Sequence, residues 1–159
     1  IPGLGGTKLQ FINFGFNHQS NGRAEPLSRS WNRIVANIGL EKIFGSEKKD
    51  SFSLLLKTWY RIPEDDADDD NPDITDYLGY GELWGTLYWK QQRFALMIRN
   101  NLKSDNKGAV QLDWSFPLPL IGDKVSGYIQ YFNGYGECLL DYKSSSNRIS
   151  AGFMLTDWH

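Results

Sequence analysis

Three side chains near the start of the chain, His18, Ser20 and Asn32, have the types and spacing that could do chemistry together. A serine hydroxyl is a weak nucleophile until a neighbouring base takes its proton, and neutral imidazole suits that task at neutral pH. The imidazole in turn needs a third group to hold it in one tautomer. An asparagine can do so by accepting a hydrogen bond, without placing a charged carboxylate beside the ring. Asn21-Gly22 and Pro26 are turn signals between these residues, so a hairpin would bring Asn32 back beside His18 and Ser20. Spacing alone decides little, because H-x-S arises often by chance and hairpin tips are rich in Asn and Ser for conformational reasons.

The elements flanking the turn carry more information. Side chains alternate along a strand, so residues two apart share a face. Over 8–20 one parity reads Ile12, Phe14, Phe16, His18, Ser20, and the other Asn13, Gly15, Asn17, Gln19. Over 29–40, Asn32 leads Ile34, Ala36, Ile38 and Leu40, with Arg33, Asn37 and Gly39 opposite. Both strands therefore set the candidate groups at the loop end of an apolar face. The same alternation predicts further strands over 52–62, 75–90, 93–102, 109–118, 125–135 and 148–158, with no convincing helix. The acidic run 64–73, containing Asn71-Pro72, offers carboxylates that could bind calcium, but a solvated loop is the favoured reading, since the ligand spacing of an EF-hand is missing.

An all-β antiparallel meander of eight amphipathic strands fits either a soluble barrel with its apolar faces inward or a transmembrane barrel with them facing lipid. Arg33, Lys57, Arg61, Arg93, Arg99 and Arg148 recur mid-strand, where a water-filled lumen would accept them. Tyr and Trp gather near strand ends, as interfacial girdles do. Connections alternate between long (63–75, 136–147) and short (91–92, 119–124), although 41–50 is long for its side. These features select the transmembrane barrel. A net charge of -2 gives no electrostatic case for nucleic acid as a partner. No apolar run is long enough for a spanning helix, which leaves strands as the means of crossing. Cys138 is the single cysteine, so an internal disulfide is impossible. The start at Ile1 reads as a mature chain or a fragment.

In that frame, 21–28, 63–75, 103–108 and 136–147 lie outside the cell, and His18, Ser20 and Asn32 face lipid near the outer rim. Polar groups on a lipid face are costly and hence functional suspects. A nucleophile there meets only what arrives through the membrane plane, and a phospholipid ester is the obvious substrate. The developing oxyanion needs donors or a cation. Ser28 and carbonyls of the 21–28 loop are hard oxygen ligands of the kind calcium takes.

The run N-H-Q-S-N-G-R-x-x-P-x-S-R-S-W-N-R (17–33) resembles the outer-membrane phospholipase A family of Gram-negative bacteria, as do D-D-N-P-D-I-T-x-Y-L-G-Y (69–80), G-Y-G-E-x-L-x-D-Y (134–142) and, weakly, M-L-T-D (154–157). The resemblance implies a calcium-dependent hydrolase of phospholipid acyl esters (A1/A2 and lysophospholipase type), active as a homodimer in the bacterial outer membrane. It implies Ser20 as nucleophile, His18 as base, Asn32 as the group orienting it, and the Gly22 amide in the oxyanion hole. The Arg23 carbonyl and Ser28 become calcium ligands. Because the family barrel has twelve strands, residues 1–159 are expected to form a single barrel domain lacking N-terminal strands, which would carry a further calcium ligand and much of the dimer contact. The Trp158-His159 end departs from the aromatic assembly signal of such barrels, and His159 has no expected role. The residues by themselves leave two alternatives open: a non-catalytic outer-membrane barrel, structural or pore-like, and a soluble lipid-binding barrel.

Overall fold

The computed structural model describes residues 6–45, 50–122 and 124–155. Among these residues eight strands follow one another in sequence and in space: β1 (Lys8–Ser20), β2 (Ser30–Phe44), β3 (Asp50–Ile62), β4 (Gly81–Trp89), β5 (Gln92–Asn100), β6 (Gly108–Pro117), β7 (Val125–Tyr135) and β8 (Ser145–Leu155). All neighbours pair antiparallel in a single sheet of order β1 to β8. Each strand pairs with its sequence neighbour, through links as short as 90–91 and as long as 63–80, so the alternating pattern leads directly to a meander.

The parity read from the sequence is the parity of the sheet. Phe14 is 77% exposed and Phe16 66%, and Ile34, Tyr60, Leu83, Ile98, Leu112 and Phe153 are exposed with them on the outward face. An apolar surface this extensive is the mark of a face that meets lipid or a partner, not water. The inward face carries Arg33, Arg99, Asp113, Ser115 and Ser126, all buried or nearly so. These side chains are not solvated by a lumen. Glu82 pairs with Lys57 at 3.4 Å and with Arg99 at 3.8 Å, while Asp113 accepts hydrogen bonds from Gln111, Tyr128 and Gln130. Buried charges are tolerated only when paired and hydrogen-bonded in this way. Of the basic side chains expected to face a water-filled lumen, Arg33 and Arg99 are buried, whereas Lys57 and Arg148 remain 36% and 60% exposed.

Several boundaries differ from expectation. The strand expected over 75–90 begins only at Gly81, because residues 74–78 form a short helix, α1 (Ile74–Leu78). Ile74 and Leu78, one helical turn apart, are both buried. Gly79 ends the helix at φ +63, where a Cβ would lie 2.3 Å from the Asn100 carbonyl oxygen, so no larger residue fits. β2 runs on to Phe44, so residues 41–44 of the turn expected over 41–50 are strand, while 46–49 lie outside the described residues. β8 starts three residues earlier than expected, at Ser145. Expectations for residues 156–159, including Trp158 and His159, lie outside the described residues.

At the loop end the interior is apolar. Trp31, Trp59, Ile74, Leu78 and Tyr142 form a buried cluster, and the two tryptophans meet edge to face with ring centroids 6.3 Å apart. The Arg33 guanidinium lies 3.9 Å over the Trp31 ring, a cation–π contact strengthened by desolvation. Tyr142 follows β7 and Trp31 lies on β2, so the sheet curls far enough to bring its two halves together under α1. Among the described residues, however, no pairing joins β8 to β1, and both edge strands are largely exposed on both faces.

Candidate active site

Cross-strand register builds the site. On β1 and β2, His18 is paired with Asn32, Gln19 with Trp31 and Ser20 with Ser30. The His18 and Asn32 side chains leave the same outward face, and His18 Nδ1 lies 2.9 Å from Asn32 Oδ1. Ser20 stands two residues beyond His18 on that face, also exposed. Among the described residues no hydrogen bond joins Ser20 to His18. The three polar groups thus extend the exposed row Ile12, Phe14, Phe16, which is where the alternation put them.

The loop after β1 is organised by Asn21. Its side-chain oxygen accepts from the Arg23 and Arg29 amides, at 3.2 and 3.1 Å, and its amide donates to the Leu27 carbonyl at 2.7 Å. Such side-chain mimicry of backbone turns is the ordinary work of Asn in loops. Gly22 adopts φ +65, a left-handed conformation natural to glycine, with open space where a Cβ would stand. Among the described residues its N–H donates to nothing, so a donor is free beside Ser20.

The acidic run 64–73 departs from expectation on either side of Asp65 to Asp68, which are exposed. It was expected to be solvated, yet Asn71 is fully buried and its side-chain oxygen accepts from the Ser30 amide at 3.0 Å. Asp69 pairs with Arg61 at 2.5 Å. Asp70 accepts from the Ser28 hydroxyl at 2.5 Å and from the Ser30 hydroxyl at 3.3 Å. Glu64 accepts from the Asn32 amide nitrogen at 2.7 Å. Asp73 is held by the Tyr142 hydroxyl and by Lys143. Desolvation works against the Asp73 carboxylate, but hydrogen bonds from Lys143 and Tyr142 outweigh it and hold the carboxyl below its ordinary range. Burial and the bond to Asp73 push the Tyr142 hydroxyl well up.

The run therefore docks onto the 21–30 loop and against β2. Asp70 and Glu64 were missed as site residues because their partners lie 42 and 32 positions away. Their common signal was only the acidic composition, which the solvated reading absorbed.

For a metal ion, no group of three or more His, Cys, Asp or Glu side chains converges among the described residues. A site at Ser28 would have to use mixed oxygens. The Ser28 hydroxyl and the Asp70 carboxylate already meet there, and among the described residues the Arg23 carbonyl accepts no hydrogen bond. Hard oxygens of these three kinds suit calcium.

An outward-apolar antiparallel sheet bearing a polar row at its loop end is the architecture of a transmembrane β-barrel wall. Residues 2–155 match the family model for Phospholipase A1, and the chain belongs to that family. It is 36% identical over 152 residues to the phospholipase A1 of Klebsiella pneumoniae, an alignment covering 96% of this chain and 48% of the relative. The solved outer membrane phospholipase A from Escherichia coli superposes with a TM-score of 0.82 at 34% identity, over 96% of this chain and 54% of that one. The Salmonella typhi outer membrane phospholipase, solved as a dimer with bound calcium, gives 0.81 at 33% identity, again over 96% and 54%. The chain spans about half the length of these relatives. With its outward apolar face, it is an outer-membrane β-barrel chain.

Proposed function

We propose that the protein is a calcium-dependent outer-membrane phospholipase that cleaves phospholipid acyl esters through Ser20, His18 and Asn32. The observation that carries this reading is the 2.9 Å contact between His18 Nδ1 and Asn32 Oδ1 on a face otherwise made of exposed Phe and Ile. A polar pair on a lipid-facing surface is costly unless it is used.

Ser20 Oγ attacks the ester carbonyl of a lipid lying against the outward face. His18 Nε2 takes the serine proton, while Asn32 accepts from Nδ1–H and keeps the ring oriented. The oxyanion is met by the Gly22 N–H. The protonated His18 then gives its proton to the leaving lipid oxygen, and water releases the acyl chain from Ser20 with His18 again acting as base. Apolar residues below the site, Phe14, Phe16 and Ile34, hold the acyl chains and exclude water. Calcium would be held by the Arg23 carbonyl, Ser28 and Asp70, and its chemistry there is charge stabilisation beside the oxyanion donors.

We further read the chain as one barrel domain completed by additional strands. Unpaired edges on β1 and β8 and the half-length coverage of relatives support this. The Salmonella typhi relative is a dimer, and this protein is expected to act as a homodimer whose partner completes the calcium site.

Fatty-acid release from mixed phospholipid–detergent micelles tests the reading. Ester release that requires calcium, disappears in Ser20→Ala, and is matched by sulfonyl fluoride labelling of Ser20 is the expected result. Undiminished turnover in Ser20→Ala would sink it, and an inert, unlabelled protein would point to a non-catalytic barrel.

A further inference from the structure

We propose that Glu64 is a positioning residue that fixes the tautomer of His18 by dictating which way the Asn32 amide faces. This rests on the Ser20–His18–Asn32 reading and adds a fourth member to it. Pairing of Asn32 with Ile62 across β2 and β3 brings the chain out of β3 at the level of the site. Glu64, two residues on, then reaches the Asn32 amide nitrogen at 2.7 Å. Among the described residues this is the only hydrogen bond Glu64 makes, and it forms no ion pair. It is therefore not an anchor for its own loop.

Donor and acceptor logic does the rest. An amide has one end that donates and one that accepts, whereas a carboxylate has no proton and can only accept. Glu64 therefore selects the NH2 end of Asn32, and the carbonyl end is left facing His18. A carbonyl can only accept, so Nδ1 of the ring must carry the proton. The neutral imidazole holds a single proton, which leaves Nε2 as the free lone pair, the nitrogen that serves Ser20. Without Glu64 the Asn32 amide is free to turn over and offer its NH2 to Nδ1. That would stabilise the tautomer protonated on Nε2, which cannot take the serine proton. An asparagine is ambiguous as an orienting group in a way that aspartate is not, and Glu64 removes the ambiguity from a distance, keeping its charge away from the ring.

The test is 15N NMR of the imidazole together with steady-state kinetics on the full-length protein in detergent micelles. The chain has two histidines, so a His159→Gln background leaves His18 as the only imidazole signal from residues 1–159. In the parent protein the neutral ring should report the Nδ1–H form. Glu64→Ala should shift it towards the Nε2–H form and lower kcat roughly five- to tenfold with KM unchanged, the loss tracking the fraction of misoriented ring. Glu64→Gln can donate as well as accept, so it should recover both readouts only in part, to values between those of the parent and Glu64→Ala. Unchanged His18 shifts in Glu64→Ala would overturn the proposal, as would a loss of rate with no change in tautomer. Absence of lipase activity in the parent would overturn the phospholipase reading instead, with the tautomer measurement still deciding the role of Glu64.

Discussion

The two ends of the sheet are built differently. At the turn end, β4 and β5 are joined at Lys90 and Gln91, which take φ +49 and +65, and β6 leads to β7 through a turn closed by backbone bonds from Leu118 to Val125. Most of these contacts are local, the bond from the Lys90 amide to Asp50 being an exception, and Leu120 stands fully exposed with Ile121 at 61%. At the loop end, contacts span the chain: Ser28 to Asp70, Asn32 to Glu64, and Asp73 to Tyr142, 69 positions apart. They close over a buried cluster of Trp31, Trp59, Ile74, Leu78 and Tyr142. Long-range contacts cost more loop-closure entropy than local ones. Their concentration at one end locates where the molecule needs a fixed geometry, and His18, Ser20 and Asn32 stand at that end.

The largest effect that would break this contrast is a core truncation. Trp31→Ala should cost about 3–5 kcal/mol, because it empties a fully enclosed site and removes the surface on which Arg33 rests. Leu120→Ala, at the turn end, should stay within about 0.5 kcal/mol. Urea unfolding in detergent measures both, and equal losses would show that the ends are not distinct. Next in size, Asp70→Asn removes a negative charge from Ser28 and its neighbours. The calcium concentration for half-maximal ester release should rise about tenfold, equivalent to ~1.4 kcal/mol. An unmoved calcium dependence would place the ion elsewhere.

Smaller effects sharpen the comparison from the other end. Gln91→Gly should stabilise the β4–β5 hairpin by about 0.5 kcal/mol, since glycine takes positive φ without a Cβ penalty. Lipase activity should not follow, because nothing links that turn to the site. The smallest effect concerns Asp73. Its carboxyl is depressed in the folded protein, so its contribution is fully present above the ordinary carboxylate value of 3.8 and is lost as pH falls through the lower folded value. Protection of the 63–75 backbone amides, measured against their intrinsic exchange rates, should therefore fall as pH drops below 3.8, and Asp73→Asn should flatten the dependence. The same fall in Asp73→Asn would assign the pH response to another group.

Much of this molecule is legible in a period of two. The alternation placed Ile12, Phe14, Phe16, His18 and Ser20 on one face and carried Asn32 to the same face across the turn. It did so because strand geometry leaves side chains no other choice once the register is set. Eight strands and their outward apolar side follow from that pattern. The short helix at 74–78 escaped it, since five residues are too few to show a helical period. The acidic run 64–73 was misjudged for a different reason. Its composition is that of a solvated loop, and nothing local in it distinguishes Glu64 and Asp70 from Asp65 or Asp66.

What the sequence determined by itself, then, is the row of candidate side chains and the face they occupy, because parity is a property of the backbone. Only the tertiary structure decided which carboxylates stand behind that row. Glu64 reaches Asn32 and Asp70 reaches Ser28 because the sheet curls and the chain returns from β3 over its own loop end. Contacts closed across 32 and 42 residues are products of that curl, and no local period encodes them.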